Sequence, residues 1–451
     1  MKTVRPLQSL AAALLLSGVA GAQVTYWDNP GVSDWFDPAN WSAGIPGPGI
    51  SAFFINGGTA QISGGATMTH QTTSLGTNSG GAVGYLEITD GILNSINVFV
   101  GHHGYGELTM SGANSEINAS LLRMAGNLPQ AEGVITINDG SIHLIGDFTP
   151  AWYGTGHVYQ HGGSIVCSQI IGGQLDVAES YYVMDGGTLT AGYISCGANG
   201  HGEFTQSGNT YVNTSNLRIP GNTNGSGIYR LQAGTLDADN IHHVFNSTPG
   251  TFEMTGGRLN VDFFGLDPLH WDLVVQGGTL CPADNGVGTT QVWGRWAQGN
   301  AANYEVTFNS PTSYDTTIAE DGIVLSGKIT LVLNSAPPSG TSLLVGQNNS
   351  VAPITGTFFG LPEGATVVGT FGTTSYNFAI SYVGGDGNDL VLNACLGDGT
   401  GDGVIDFDDL NLVLLNWGMT GTGIPGDLDG NGVVDFDDLN LVLANWGAAC
   451  V

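Results

Sequence analysis

The stretch Gly84-Tyr85-Leu86-Glu87-Ile88-Thr89-Asp90-Gly91-Ile92-Leu93 decides the fold, because the chain repeats its pattern from Gly84 to Leu280. Each repeat runs Gly, a polar residue, an apolar–x–apolar pair, a short turn and a further apolar position. The turn residues that anchor the repeats are Gly91, Ala113, Gly140, Gly163, Gly187, Asn209, Gly234, Gly257 and Gly278. They stand 22, 27, 23, 24, 22, 25, 23 and 21 residues apart. Five positions before the anchors come Leu86, Leu108, Ile135, Val158, Tyr182, Phe204, Tyr229, Phe252 and Leu273. Three before come Ile88, Met110, Ile137, Gln160, Met184, Gln206, Leu231, Met254 and Val275. Two after come Leu93, Ser115, Ile142, Ile165, Leu189, Tyr211, Leu236, Leu259 and Leu280.

A period near 23 with period-2 alternation inside it predicts a parallel β-solenoid. Each repeat is one coil of short strands, and the glycines supply corners that need positive φ. A lone coil cannot bury its apolar face, whereas stacked coils turn like positions into internal ladders. Gln160 and Gln206 fall in an inward column, so their amides must bond to a neighbouring coil. At about 4.8 Å per coil, nine coils give a rod of roughly 43 Å.

The chain has 451 residues, 73 of them Gly, with 10% charged and 41% hydrophobic residues. So much glycine with so few charges would suggest disorder, but the ladders require a packed β protein. Residues 1–22 read as an export signal: Lys2 and Arg5, the apolar run Leu10–Ala20, and a small-residue cleavage pattern at Ala20-Gly21-Ala22. No other stretch is apolar and long enough to span a bilayer. The expected location is therefore outside the cell, secreted or at its surface. Losing Lys2 and Arg5 with the signal takes the net charge from −30 to −32. A chain this acidic does not bind nucleic acid or anionic membrane by charge.

Residues 23–65 contain Trp27, Trp35 and Trp41 among prolines and read as an N-terminal cap on the solenoid's open edge. The alternative is an aromatic carbohydrate platform. The solenoid proper is assigned to 66–285 and a β capping module to 286–394, with Gly385-Asp386-Gly387-Asn388-Asp389 as a turn between strands. Two stretches, Trp35-Phe36-Asp37-Pro38-Ala39-Asn40-Trp41 and Gly356 to Leu392, resemble the start and the closing module of exported bacterial β-solenoid proteins with autotransporter-like or PEP-CTERM-type repeats.

Residues 395–451 differ in kind: ten Asp, no Glu, no Lys and no Arg. So many carboxylates repel one another unless cations sit among them. The segment is a tandem duplication at an offset of 29, Gly397–Gly418 matching Gly426–Gly447 at 17 of 22 positions. Each copy opens with a calcium loop, in which oxygen ligands at positions 1, 3, 5, 9 and 12 and a carbonyl at 7 surround one hard cation. In the first copy these are Asp398, Thr400, Asp402, Asp406, Asp409 and the Val404 carbonyl. In the second they are Asp427, Asp429, Asn431, Asp435, Asp438 and the Val433 carbonyl, so two Ca2+ sites are expected. Thr400 offers a hydroxyl where the second loop has a carboxylate, so the first site should be the weaker. One helix follows each loop, with Leu410, Val413, Leu414 and Trp417, and then Leu439, Val442, Leu443 and Trp446, expected to pack as apolar faces. Cys395 and Cys450 bracket the segment and are expected to form a disulfide in an oxidising compartment, while Cys167, Cys196 and Cys281 are read as buried or unassigned.

A loop and one helix, twice over, resembles the type I dockerin, an EF-hand-like module that docks a protein partner in a calcium-dependent way. The resemblance implies the metal, the small α-helical domain and a protein partner. Loop positions 10 and 11 are Phe407-Asp408 and Phe436-Asp437, where cellulosomal dockerins carry small or hydroxyl residues. The usual basic residues on the helices are also missing, which speaks against a cohesin-like receptor.

The rival expectation is a polysaccharide lyase or O-glycosyl hydrolase of the β-helix kind. A lyase needs a basic residue, and only Arg123, Arg218, Arg230 and Arg258 lie in the coils, with Arg230 expected to pair with Glu253. A hydrolase needs carboxylates about 5 to 9 Å apart, and Asp237, Asp239 and Asp262 come nearest. The adjacent pairs His102-His103 and His242-His243 would diverge on a strand and read as turn residues and not as ligands. No catalytic residue is assigned. The sequence thus predicts a mainly β, non-catalytic exported solenoid, structural or adhesive, with polysaccharide as a further partner and a calcium-binding docking module at its end.

Overall fold

A computed structural model describes residues 23–447 apart from 79–80, 245–249, 267, 269, 283–285, 339–340, 373, 401, 422–423 and 430–431. The expected export signal, Asn431 and Cys450 lie outside the described residues.

The chain forms a parallel β-solenoid of about 12 turns, closed by antiparallel strands and followed by two short helices. Its coils have three faces. On the first, Tyr105–Met110 pairs in parallel with Val83–Ile88 on one side and Glu132–Ile137 on the other. The second begins each of the longer strands, such as Gly91–Val100 and Glu116–Met124, and the third uses their later residues.

Stacking superposes the columns that the repeat predicts. Ile88, Met110, Ile137, Gln160, Met184, Gln206, Leu231, Met254 and Val275 lie one above another. All nine are buried. Each fully buried Leu, Ile or Met contributes about 1.5–3 kcal/mol. Two anchors move. Ser115, not Ala113, aligns with Gly140, and Thr210, not Asn209, aligns with Gly187. The third column is therefore completed by Ile117 and Val212, while Tyr211 is half-exposed. The corner at Gly112–Asn114 is longer than its neighbours, and a register shift follows Met184. With these anchors the period narrows to between 21 and 25 residues.

A further apolar column, on the third face, escaped the sequence reading. Val98, Leu122, Phe148, Ile170, Ile194, Leu217, Ile241 and Phe264 stack in register and are all buried. Once Ser115 and Thr210 replace the misplaced anchors, nearly all of these stand seven residues after one.

The inward glutamines are satisfied as expected. Gln160 accepts from Tyr182 Oη at 2.6 Å and donates to the Thr188 carbonyl at 3.0 Å. Gln206 accepts from Tyr229 Oη at 2.6 Å and donates to the Thr235 carbonyl at 2.8 Å. Each amide thus bonds a tyrosine of the following coil, inside a stack of Tyr182, Phe204, Tyr229 and Phe252 rings.

Parallel stacking extends beyond 66–285 on both sides. Gln23–Tyr26 already pairs in parallel with Ile50–Phe54, and Thr316–Ala319 with Ser342–Asn348. The outer edge of the first strand is covered by its own loop: Ser42 N–H donates to the Tyr26 carbonyl and Asp28 N–H to the Asn40 carbonyl. Trp27, Trp35 and Trp41 are buried over Phe54 and pack edge-on to one another, so these rings are core and not an exposed platform. At the other end the ladder turns antiparallel, Asp389–Ala394 pairing with both Ser342–Asn348 and Thr374–Gly384. Residues 385–388 form the turn between the last two strands.

Candidate metal centre

Two helices, α1 (Phe407–Leu415) and α2 (Phe436–Ala444), follow the closing sheet. Val413 and Val442 are buried with Ile405, Val434, Cys395 and Ala379, so the segment has a small core of its own that rests on the last strands. Leu410 and Leu439 pack against this core. The rest of the expected apolar faces is not buried. Leu414 and Leu443 are each 51% exposed, Trp417 47% and Trp446 48%. Nine-residue helices meet over little more than one turn, so residues a turn further along have nothing to cover them.

Asp406 and Asp435 cap the helices, each accepting from the N–H two residues on, Asp408 and Asp437, at 2.8 and 2.9 Å. The last loop residue closes each box. Asp409 Oδ2 accepts from Asp406 N–H and Asp438 Oδ2 from Asp435 N–H. Both of these aspartates are fully buried.

In the second loop, carboxylate oxygens of Asp427, Asp429 and Asp438 come within 4.8 Å of one another. Asp438 Oδ1 accepts from Leu428 and Asp429 N–H at 2.6 and 3.0 Å, which folds the loop around it. Asp427 Oδ2 accepts from Gly432 N–H at 3.0 Å, while its Oδ1 is buried and accepts from no donor. A buried carboxylate oxygen without a donor is costly unless a cation meets it, and three anionic oxygens this close fit a hard divalent ion. Asp435 is engaged as a helix cap, and Val433 forms an isolated antiparallel bridge with Thr420.

The first loop repeats the frame with one donor fewer. Asp398 and Asp409 are buried, and Asp398 Oδ2 accepts from Gly403 N–H at 3.0 Å. Thr400 stands where Asp429 does and sets its hydroxyl 3.4 Å from Asp398 Oδ1. Asp402 Oδ1 accepts from Val404 N–H at 3.0 Å. Gly403 and Gly432 both adopt φ +86°, the left-handed turn that position 6 demands. Cys395 is disulfide-bonded. Cys167, Cys196 and Cys281 are buried thiols in the solenoid.

The other candidate residues are dispersed along the rod. Arg230 donates to Glu253 at 2.9 Å, as expected, and to Glu203 at 2.7 Å. Arg258 pairs with Glu305 and Arg295 with Asp272. Arg123 and Arg218 lie over the rings of Trp152 and Tyr193. Asp237 accepts from Tyr211 Oη and Asn213 Nδ2. Asp262 is exposed, and partial burial together with Asp239 and Asp237 raises its pKa. His102 and His103 sit in a corner, as their reading as turn residues expects, and there their side chains do not diverge: the ring centroids are 4.4 Å apart. Among the described residues no helix is long and apolar enough to cross a membrane. No protein-family profile and no curated relative matches the chain.

Proposed function

We propose that the protein is an exported, non-catalytic β-solenoid rod whose C-terminal loop–helix pair binds two Ca2+ ions and docks a protein partner, in the manner of a dockerin. The observation that carries the reading is the second loop, where three carboxylates converge and Asp427 Oδ1 is buried without a donor. The exposed Phe407 and Leu414 on α1 and Phe436 and Leu443 on α2 supply two similar apolar surfaces for the partner. The solenoid's arginines are held in ion pairs or over aromatic rings, which supports a spacer or adhesive surface over a lyase.

Calcium calorimetry on the whole chain tests this. Two sites of unequal affinity are expected, with Thr400→Asp tightening the weaker one. A single class of sites untouched by that substitution overturns the assignment. The rival reading, a polysaccharide-degrading enzyme, rests on the raised Asp262 beside Asp237 and Asp239. Release of product from neutral or uronate polysaccharides, abolished by Asp262→Asn, would establish it instead.

A further inference from the structure

At the corner between the third and first faces, Asn127 Nδ2 lies 2.8 Å from His102 Nε2 and 3.2 Å from His103 Nε2. An amide NH2 has two protons and no lone pair to accept with, so each ring takes one proton and both Nε2 lone pairs face one point. His102 Nδ1 then carries the ring proton and donates to Ser74 Oγ at 3.1 Å. Phe99 stacks on the His102 ring at 4.4 Å and holds its plane. His103 Nδ1 is buried and bonds to nothing.

Two features mark this corner as built. Ser74, the histidine pair and Asn127 come from three successive coils. Ala125, two residues before Asn127, has φ +47° where the two preceding coils have Gly76 and Gly101. It is the one non-glycine residue with positive φ among those described. Backbone strain of this kind costs about 1–3 kcal/mol and gathers at ligand sites.

We propose that this corner is a transition-metal site, separate from the calcium loops, in which His102 and His103 Nε2 bind a borderline divalent ion such as Cu2+. The ion takes the place of Asn127 Nδ2, and the Asn127 amide turns to offer Oδ1 as a third ligand. The donor set decides the class. Imidazole nitrogen favours Cu2+, Ni2+ or Zn2+, whereas Ca2+ takes oxygen. The hydrogen bond from His102 Nδ1 to Ser74 is the outer-shell partner that fixes a ligating ring. The Arg123 charge, held over the Trp152 ring at 3.6 Å, repels any cation nearby, so an ion here must be held by imidazole coordination and not by charge. A bound ion would tie successive coils together.

The test uses the whole chain in saturating Ca2+, which fills the C-terminal loops, titrated with Cu2+ and followed by calorimetry and electron paramagnetic resonance. One Cu2+ with coupling to two imidazole nitrogens is expected, together with a rise in Tm. His103→Gln should weaken binding at least tenfold. Asn127→Asp should tighten it about tenfold by supplying a carboxylate, and because Asn127 is exposed this change does not threaten the fold. If both variants titrate like the parent protein, or the signal shows no imidazole pair, the proposal is wrong. Neither result bears on the calcium loops, whose failure would show only in the calcium titration.

Discussion

The solenoid and the C-terminal segment are held together by opposite means. The rod buries column upon column of Leu, Ile, Val and Met and keeps most of its few charges on the outside, Asp315 and Asp389 being buried exceptions. Among its described residues the segment has four buried aliphatic side chains, Ile405, Val413, Val434 and Val442, to offset ten aspartates. A core so small does not stabilise sixty residues, and segments of this size normally need a metal or a disulfide. Cys395 supplies one staple; the converging carboxylates supply the place for the other. Chelators should therefore divide the molecule in two, unfolding the segment and sparing the rod.

The largest effect belongs to the rod's corners. Gly197 has φ +74°, and a Cβ built there would lie 1.8 Å from the Ser226 carbonyl oxygen of a neighbouring coil. Backbone on both sides leaves no room to shift. Gly197→Ala should cost on the order of 4 kcal/mol or more. Thermal unfolding would show it, and a Tm within two degrees of the parent would refute the stacking at that corner. In the other half, Asp438→Asn removes a carboxylate that both folds its loop and faces the candidate ion. The expected result is loss of one calcium site and of helical circular dichroism, with the β signal unchanged. EDTA should reproduce that loss in the parent protein.

A smaller effect sits inside the ladder. Tyr229→Phe leaves Gln206 Oε1 buried without its donor, which should cost about 1–3 kcal/mol. Adding Gln206→Leu removes the stranded amide and should recover part of the loss in a double-mutant cycle. If the two substitutions simply add, the inward hydrogen bond contributes nothing.

What the sequence disclosed followed the same division. Columns with unbroken spacing, such as Ile88 to Val275, could be read directly, because a parallel coil forces like residues to superpose. Ser115 and Thr210 were missed because coils tolerate extra residues at corners, and a fixed offset carries such an insertion into the wrong column. The third-face column from Val98 to Phe264 was present at a nearly constant spacing, with Phe148 one residue out, but became visible only once those anchors moved. The first coils hid for another reason: Trp27, Trp35 and Trp41 fill the core there in place of a repeating aliphatic pattern. The turn at His102 and His103 was legible, but the divergence expected of neighbours on a strand does not apply in a corner, where adjacent side chains can point the same way. In the C-terminal segment the turns at Gly403 and Gly432 and the starts of both helices were legible because spacing within a loop is a local property. The exposure of Leu414 and Trp417 depends on how short helices meet, and that is not local.

The finest test compares the two ends of the rod by pH. His70 is buried against Trp35 in the first coils, and desolvation lowers its pKa from 6.5 to about 3. Between those values the unfolded chain binds the extra proton. His70 therefore lends stability that is complete above pH 6.5 and is lost progressively as the pH falls, by at most about 1.4 kcal/mol per pH unit. Asp315 is buried near the other end, where burial outweighs the N–H bonds from Gly288 and Thr307 and pushes its pKa up to about 6. Here the folded chain binds the extra proton between 3.8 and 6, so this contribution is present in acid and is lost as the pH rises through that window. Acidifying from pH 6.5 to 4 should thus loosen the first coils while it firms the last. Amide exchange read separately at Phe54–Leu75 and at Thr307–Ala319 would resolve the two. His70→Leu should flatten the first response and Asp315→Asn the second, and equal responses at both ends would show that burial does not govern either proton.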